Sequence, residues 1–282
     1  MQTIAEIISR LNLSRAGRWH RGVCPNCGKN SLSVAEGRAR IAAICYYGCD
    51  RDALREALGV GKLPPADPAT RAERDAKRLS ASLAAARIWG GSVAVTHDDP
   101  AGRYLTRRGL ASAIGNDRLR YRPDAPHPEG GKYPALILRV DGLAGELAAI
   151  HRIYLTRDGE KAAATPVKAA KGPIWGGAIR FGIGPAIVVA EGPETALAAG
   201  RLLGLPAWSA ISAGNMATGL MLPTDLMVVT IAADHDAPGL AAAETAARRW
   251  RAEERSVRII TPNHPGTDFN DVLQTRLAGR GA

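Results

Sequence analysis

The chain has 282 residues, 46% of them hydrophobic and 23% charged, a balance that excludes wholesale disorder and leaves room for two or three domains. Aromatic residues make up only 5%, too few for an extended stacking surface. The formal net charge of +10 lies in residues 1–123, whereas residues 124–183 carry +2 and residues 184–282 carry −2. A basic front faces a polyanion, and nucleic acid is the obvious one, although an Arg-rich composition alone gives the same sign. The apolar runs at 186–190 and 226–233 are too short to span a bilayer, and the N-terminus lacks the order of a signal peptide. A cytoplasmic address without membrane contact is expected.

All four cysteines fall early, as Cys24-Pro25-Asn26-Cys27 and Cys45-Tyr46-Tyr47-Gly48-Cys49. Two close pairs at this separation offer four thiolates to one tetrahedral Zn²⁺. Disulfides compete poorly in a chain with no mark of secretion, and scattered thiols compete poorly because no cysteine lies elsewhere. The segment between them alternates like short strands at 31–34 and 39–44, giving a zinc ribbon. His20 is a weak rival ligand beside four thiols, and four protein ligands leave no open position, so the ion is structural.

A short helix is predicted at 50–58, followed by a proline-rich linker at 63–68. Residues 70–89 suit a basic amphipathic helix with Leu79, Leu83, Ala86 and Ile88 on its apolar side. Strands are predicted at 135–140 and 148–155. From 184 onward strand and helix alternate: strands at 187–190, 208–211, 226–233 and 257–260, with helices at 193–203 and 240–251. That order implies an α/β domain with a mostly parallel sheet and helices on both faces.

The acids of this last domain stand where a parallel sheet gathers its ligands, past the carboxyl ends of strands. Glu191 follows the first strand, Asp234 and Asp236 follow the 226–233 strand, and Asp268 and Asp271 lie past the last. Carboxylates converging at three strand ends repel one another unless a hard divalent cation, Mg²⁺ or Mn²⁺, joins them. Taken singly, each acid could instead be a helix cap.

The block Val189-Ala190-Glu191-Gly192-Pro193-Glu194-Thr195-Ala196-Leu197, with Asp234-His235-Asp236 downstream, resembles a Toprim domain. That metal-dependent module is shared by bacterial-type primases, type IA and type II topoisomerases and some nucleases and repair proteins. Tyr104-Leu105-Thr106-Arg107-Arg108-Gly109-Leu110 resembles a segment of the primase catalytic core, and Pro166-Val167-Lys168-Ala169-Ala170-Lys171-Gly172 falls where such primases have a basic loop. The cysteine module resembles the primase zinc ribbon. Together these motifs resemble the DNA primases of bacteria, phages and plasmids. The expected organisation is a zinc ribbon at 1–62, linker and basic helix at 63–100, a small basic α+β subdomain at 101–183 and the Toprim domain at 184–282.

The resemblance implies synthesis of short RNA primers from ribonucleoside triphosphates on single-stranded DNA, for a phage, plasmid or other mobile element. It assigns Glu191, Asp234 and Asp236 to catalysis and to magnesium, with Asp268 and Asp271 as further metal ligands and Glu191 available as a general base. It assigns Arg108, Lys168, Lys171 and Arg180 to triphosphate or template. Arg18, Arg21, Arg38 and Arg40, with stacking by Trp19 or Tyr46, would hold the template on the zinc module. Two departures stand out: Cys27 replaces the histidine many cellular primases use, and Thr195 stands where some Toprim primases have a further Asp. That leaves Glu194 as a helper acid. No G-x-x-x-x-G-K-[ST] loop is present, so a separately encoded replicative helicase is the expected partner. A Toprim nuclease or repair protein, or a non-catalytic single-strand binder, is the alternative.

Overall fold

The computed structural model describes residues 2–16, 19–29, 31–36, 41–45, 49–60 and 68–279. The chain divides into two compact units, Met1–Arg71 and Ala72–Ala282.

The first unit is a four-stranded antiparallel meander, β1 (Ser14–Ala16), β2 (Trp19–Gly22), β3 (Leu32–Glu36) and β4 (Ile41–Cys45), in chain order. Helix α1 (Ile4–Arg10) starts at a capping box between Thr3 and Glu6, and α2 (Arg51–Ala57) is capped by Asp50. Their apolar faces close a small core of Ile7, Leu13, Leu32, Val34, Leu54 and Leu58, to which Cys24 and Cys45 also belong. Too few side chains are buried here for a large hydrophobic contribution, so a core of this size needs a metal or another staple.

Helix α3 (Pro68–Gly90) follows. Its packed side is only partly the predicted one: Ala85 and Trp89 are buried, Ile88 packs half-buried against the same core and Ser82 Oγ donates to the Ala148 carbonyl at 2.8 Å, while Leu79 and Leu83 remain exposed. Trp89 at i+4 from Ala85 supplies the larger apolar surface, and the helix turns toward it.

In the second unit β5 (Val93–Ala94), β6 (Leu119–Pro126), β7 (Lys132–Asp141), β8 (Leu147–Tyr154) and β9 (Lys168–Lys171) form an antiparallel sheet in chain order, with α4 (Pro100–Arg107) between β5 and β6. A second sheet has the order β10-β12-β11-β13-β14, from β10 (Ile179–Arg180), β11 (Ala186–Ala190), β12 (Ala207–Ser209), β13 (Val228–Ala232) and β14 (Ser256–Ile260). Its last four strands run parallel, and β10 pairs antiparallel with β12.

Helices α5 (Pro193–Leu203) and α7 (Phe269–Ala278) cover one face of this second sheet, and α6 (Ala237–Ala252) covers the other. Alternation sorts the strands cleanly. Val188 and Ala190 face a core shared with α5, α7 and the antiparallel sheet, while Ile187 and Val189 face α6. The chain leaves β11 toward β12 and later returns to β13 on its other side, so a crevice opens between the carboxyl ends of β11 and β13. Among the described residues no helix is long and apolar enough to cross a membrane.

Candidate active site

Glu191 is the first residue past β11 and Asp234 the second past β13, and these strands pair in register from Ala186↔Val228 to Ala190↔Ala232. The topology therefore delivers both acids to the same crevice. Asp268 arrives from the far side of the sheet through a specific tether. The His235 amide donates to the Thr267 carbonyl at 3.1 Å, the Gly266 amide donates to the His235 carbonyl at 2.8 Å, and His235 Nδ1 lies 2.8 Å from the Pro262 carbonyl. His235, the central residue of Asp-His-Asp, thus clips the β13 loop to the loop before α7. Asp236 caps α6 through the Gly239 amide at 2.7 Å. Asp268 caps α7 with Oδ1 and receives Thr195 Oγ1 on Oδ2 at 3.4 Å, so the threonine at the departing Toprim position serves this acid directly.

Glu191, Glu194, Asp234 and Asp268 line a cavity of about 450 Å³ together with Arg108, His151, Lys161 and Lys168; Asp236 is not among its lining residues. Burial pushes the Asp234 carboxyl up to about 6, with Asp268, Glu191 and Asp236 adding repulsion. Burial likewise raises Glu191, reinforced by Asp236. Asp234 Oδ1 is buried without a hydrogen-bond partner. Desolvated, mutually repelling carboxylates with an orphaned oxygen are donors of the kind a hard divalent cation takes, although no three of them bring ligand atoms within 4.8 Å of one another in this arrangement. The cavity is wider than a closed metal cage, leaving room for water and phosphate oxygens of a substrate.

Glu194 is different. Lys168 Nζ reaches Oε1 at 2.8 Å and Oε2 at 2.9 Å, and the Tyr104 hydroxyl donates to Oε1 at 2.7 Å. Burial opposes ionisation, but Lys168 and Tyr104 outweigh it and hold Glu194 down to about 2. With both oxygens engaged, Glu194 positions Lys168.

The remaining predicted residues lie elsewhere. Lys171 pairs with Ile150, whereas Lys168 pairs with Ile153; three residues apart on a strand, the two lysines face opposite sides of the sheet. The predicted basic loop is a strand, and only Lys168 borders the cavity. Arg180 lies over the Trp208 ring at 4.4 Å and donates to the carbonyls of Gly142 and Leu143, away from the cavity. Asp271 completes the capping box of α7, its Oδ2 accepting from the Asp268 amide at 3.0 Å, and lines a separate cavity of about 460 Å³. Arg108 does border the acid cavity and donates to Asn270 Oδ1 at 3.3 Å.

Lys161 and His151 are cavity residues that the motif reading missed. His151 was detectable as an ionisable residue on the apolar parity of 147–154; Lys161 carried no signal.

In the first unit the four thiols are, among the described residues, the one group of His, Cys, Asp and Glu whose ligand atoms all lie within 4.8 Å of one another. Cys24 and Cys49 Sγ are 3.8 Å apart, and Cys27 and Cys45 Sγ 3.7 Å. Four Zn–S bonds of about 2.3 Å set tetrahedron edges of roughly 3.8 Å, so the thiols fit zinc. Burial opposes ionisation of Cys27, yet hydrogen bonds from the Lys29 amide, Cys49 and Ser31 hold it down to about 7. His20 pairs with Val34 on β2 and is not in the group. Trp19 and Arg21 are also on β2; Arg18, Arg38, Arg40 and Tyr46 lie outside the described residues.

Residues 186–279 match the family model of the Toprim domain. This part of the chain is a Toprim domain. Residues 80–181, up to its edge, match a domain of unknown function (DUF7146). No curated protein matches the chain in sequence. The RNA polymerase domain of Mycobacterium tuberculosis primase DnaG is similar at 17% identity and TM-score 0.47, over 73% of this chain and 82% of that one. The Aquifex aeolicus primase, with zinc-binding and RNA polymerase domains, is similar at 15% and 0.43, over 99% and 82%. The primase fragment of the bacteriophage T7 primase-helicase is similar at 14% and 0.40, over 93% and 95%.

Proposed function

We propose that the chain is a DNA primase that makes short RNA primers on single-stranded DNA. The observation that carries this is a cavity of mixed charge, lined by the Toprim acids Glu191, Asp234 and Asp268 together with the cations Lys161, Lys168 and Arg108. Acids that can hold divalent cations, set among cationic side chains, can together neutralise a triphosphate, as nucleotidyl transfer requires.

Glu191, Asp234 and Asp268 would hold Mg²⁺ or Mn²⁺, with Asp236 capping α6 beside them. Bound there, the ions would supply Lewis-acid stabilisation of phosphoryl oxygens and of the attacking hydroxyl. Lys168 is held in place by Glu194, which the Tyr104 hydroxyl holds in turn, and Lys161 and Arg108 add positive charge to the same lining. Glu191, buried and raised above the ordinary carboxylate range, is suited to receive the proton of a 3′-hydroxyl. The first unit would hold one structural Zn²⁺ on Cys24, Cys27, Cys45 and Cys49 and read the template. The broader setting proposed is a cytoplasmic primase of a mobile element, working with a separately encoded helicase.

The test is primer synthesis on single-stranded DNA with labelled ribonucleotides and Mg²⁺ or Mn²⁺, with the Asp234→Ala/Asp236→Ala protein alongside. Short RNA products lost in the variant support the reading. Template cleavage without products would move the assignment to a Toprim nuclease, and binding without either activity to a single-strand binder.

A further inference from the structure

His151 sits on β8, where alternation sets Ala149, His151 and Ile153 on one face and Ile150 and Tyr154 on the other. The first face belongs to the core between the two sheets, and on β7 His151 stands opposite Leu138, a member of that core. An aliphatic residue would be fully satisfied at this position. Instead an imidazole is 7% exposed, and neither Nδ1 nor Nε2 has a hydrogen-bond partner. A buried unpaired polar group is costly, so its presence asks for a partner that arrives from outside. His151 lines the acid cavity, which is where such a partner enters.

The chemistry of the cavity narrows the partner. Its acids are acceptors suited to cations, and Lys161, Lys168 and Arg108 are donors suited to phosphate oxygens. Burial, then Lys168, holds the imidazole down to about 4, so it is uncharged at neutral pH. Lys168 and Arg152 act against a positive charge on the ring and Glu194 acts for one, with Lys168 the stronger. An uncharged imidazole offers one donor and one acceptor, and that pair complements a hydroxyl, which is itself both.

We propose that His151 contacts the 2′-hydroxyl of the nucleotide bound in this cavity and thereby selects ribonucleotides over deoxyribonucleotides. The proposal rests on the reading of the cavity as a nucleotide site and deepens it. A site built to pair a hydroxyl rejects an analogue that lacks it, because the buried group is left unpaired. One buried hydrogen bond corresponds to roughly ten-fold in affinity.

The experiment is calorimetric titration of the full chain with ATP, 2′-deoxy-ATP and 3′-deoxy-ATP in Mg²⁺, on the wild type, His151→Leu and His151→Gln, with thermal unfolding of each. The wild type is expected to bind ATP roughly ten-fold more tightly than 2′-deoxy-ATP, and 3′-deoxy-ATP about as tightly as ATP. His151→Leu should weaken ATP to the level of 2′-deoxy-ATP and leave the binding of 2′-deoxy-ATP itself unchanged. His151→Gln, which keeps an uncharged donor and acceptor, should retain part of the preference. The unfolding midpoint of His151→Leu should equal or exceed the wild type, since leucine suits the apolar face; a merely structural histidine would lower it.

A wild type that binds all three nucleotides alike overturns the proposal, as does a His151→Leu protein that keeps the preference, weakens all three equally or unfolds earlier. The two readings fail separately. A chain that shows this binding pattern but makes no primer loses the primase reading and keeps the proposal. One that makes primers without discriminating through His151 does the reverse, and a wild type that binds no nucleotide overturns both.

Discussion

Glu194→Gln isolates the group that fixes Lys168. The wild-type carboxylate is buried, bonded to Lys168 Nζ and the Tyr104 hydroxyl, and its pKa falls from 4.5 to about 2. A folded-state pKa below the unfolded one means stability that is fully present above pH 4.5 and lost as pH falls toward 2. At about 1.4 kcal/mol per pKa unit, the contribution is about 3 kcal/mol at pH 7 and about 1 kcal/mol at pH 3. Gln cannot ionise, so the difference in unfolding free energy between wild type and Glu194→Gln should narrow by about 2 kcal/mol between those pH values. Urea unfolding of both proteins, followed by tryptophan fluorescence at several pH values, measures it. The difference cancels the titrating groups that do not interact with Glu194; His151, which does, titrates in the same window and is removed by repeating the comparison in a His151→Leu background. A gap that stays constant with pH, or widens in acid, would refute the assignment of Glu194 as the ionised anchor of Lys168.

Other outcomes follow from the same geometry. Asp234→Asn removes one of several mutually repelling buried carboxylates and should leave the metal-free protein as stable or up to about 1 kcal/mol more stable, while Mg²⁺-dependent primer synthesis falls at least a hundred-fold; thermal unfolding and the primer assay read the two effects. Gly239→Ala would place a methyl group 2.8 Å from the Asp234 carbonyl and 2.9 Å from Asp236 Oδ1, so it should displace both acids and weaken nucleotide binding in Mg²⁺ at least ten-fold by calorimetry. Removing the metal by chelation, or Cys45→Ser, should release one Zn²⁺ per chain and abolish amide protection in residues 2–60, as seen by hydrogen exchange with mass spectrometry. Retained protection there would show that the small core folds without metal.

The parallel sheet was readable because β11 and β13 are mostly buried on both faces and therefore appear as apolar runs, broken in β13 only by Thr230, with the acids close behind. The cysteine cluster was readable because cysteine is concentrated in two pairs. The antiparallel sheet was only half visible. β6 reads Leu-Arg-Tyr-Arg-Pro-Asp-Ala-Pro, and its register shifts against β7 between Arg122 and Ala125, so the period-two pattern breaks where the prolines fall. Misreading β9 as a loop grouped Lys168 with Lys171, although a strand separates them by face. Arg180 and Asp271 carry charges that motif position alone could not place. Arg180 lies over Trp208 and Asp271 caps α7, local contacts that sequence spacing does not encode. His151 needed the opposite inference, from a polar residue where packing calls for an apolar one.

The seam between the two sheets of the second unit bears on how this protein can be cut or recombined. Leu136, Leu138 and Ile153 from one sheet pack in the same core as Val188, Ala190 and Ala199 from the other, and Asp141 bridges to Ala178 just before β10 joins the parallel sheet. A fragment beginning at residue 184 would strip β12 of its outer neighbour and bare an oily face, inviting aggregation through both the strand edge and the exposed surface. The two segments that match separate family models thus lie in one compact unit. A Toprim domain transplanted here from another protein would need to bring a matching apolar face, and exchange at the boundary near residue 184 would succeed only when both sides travel together.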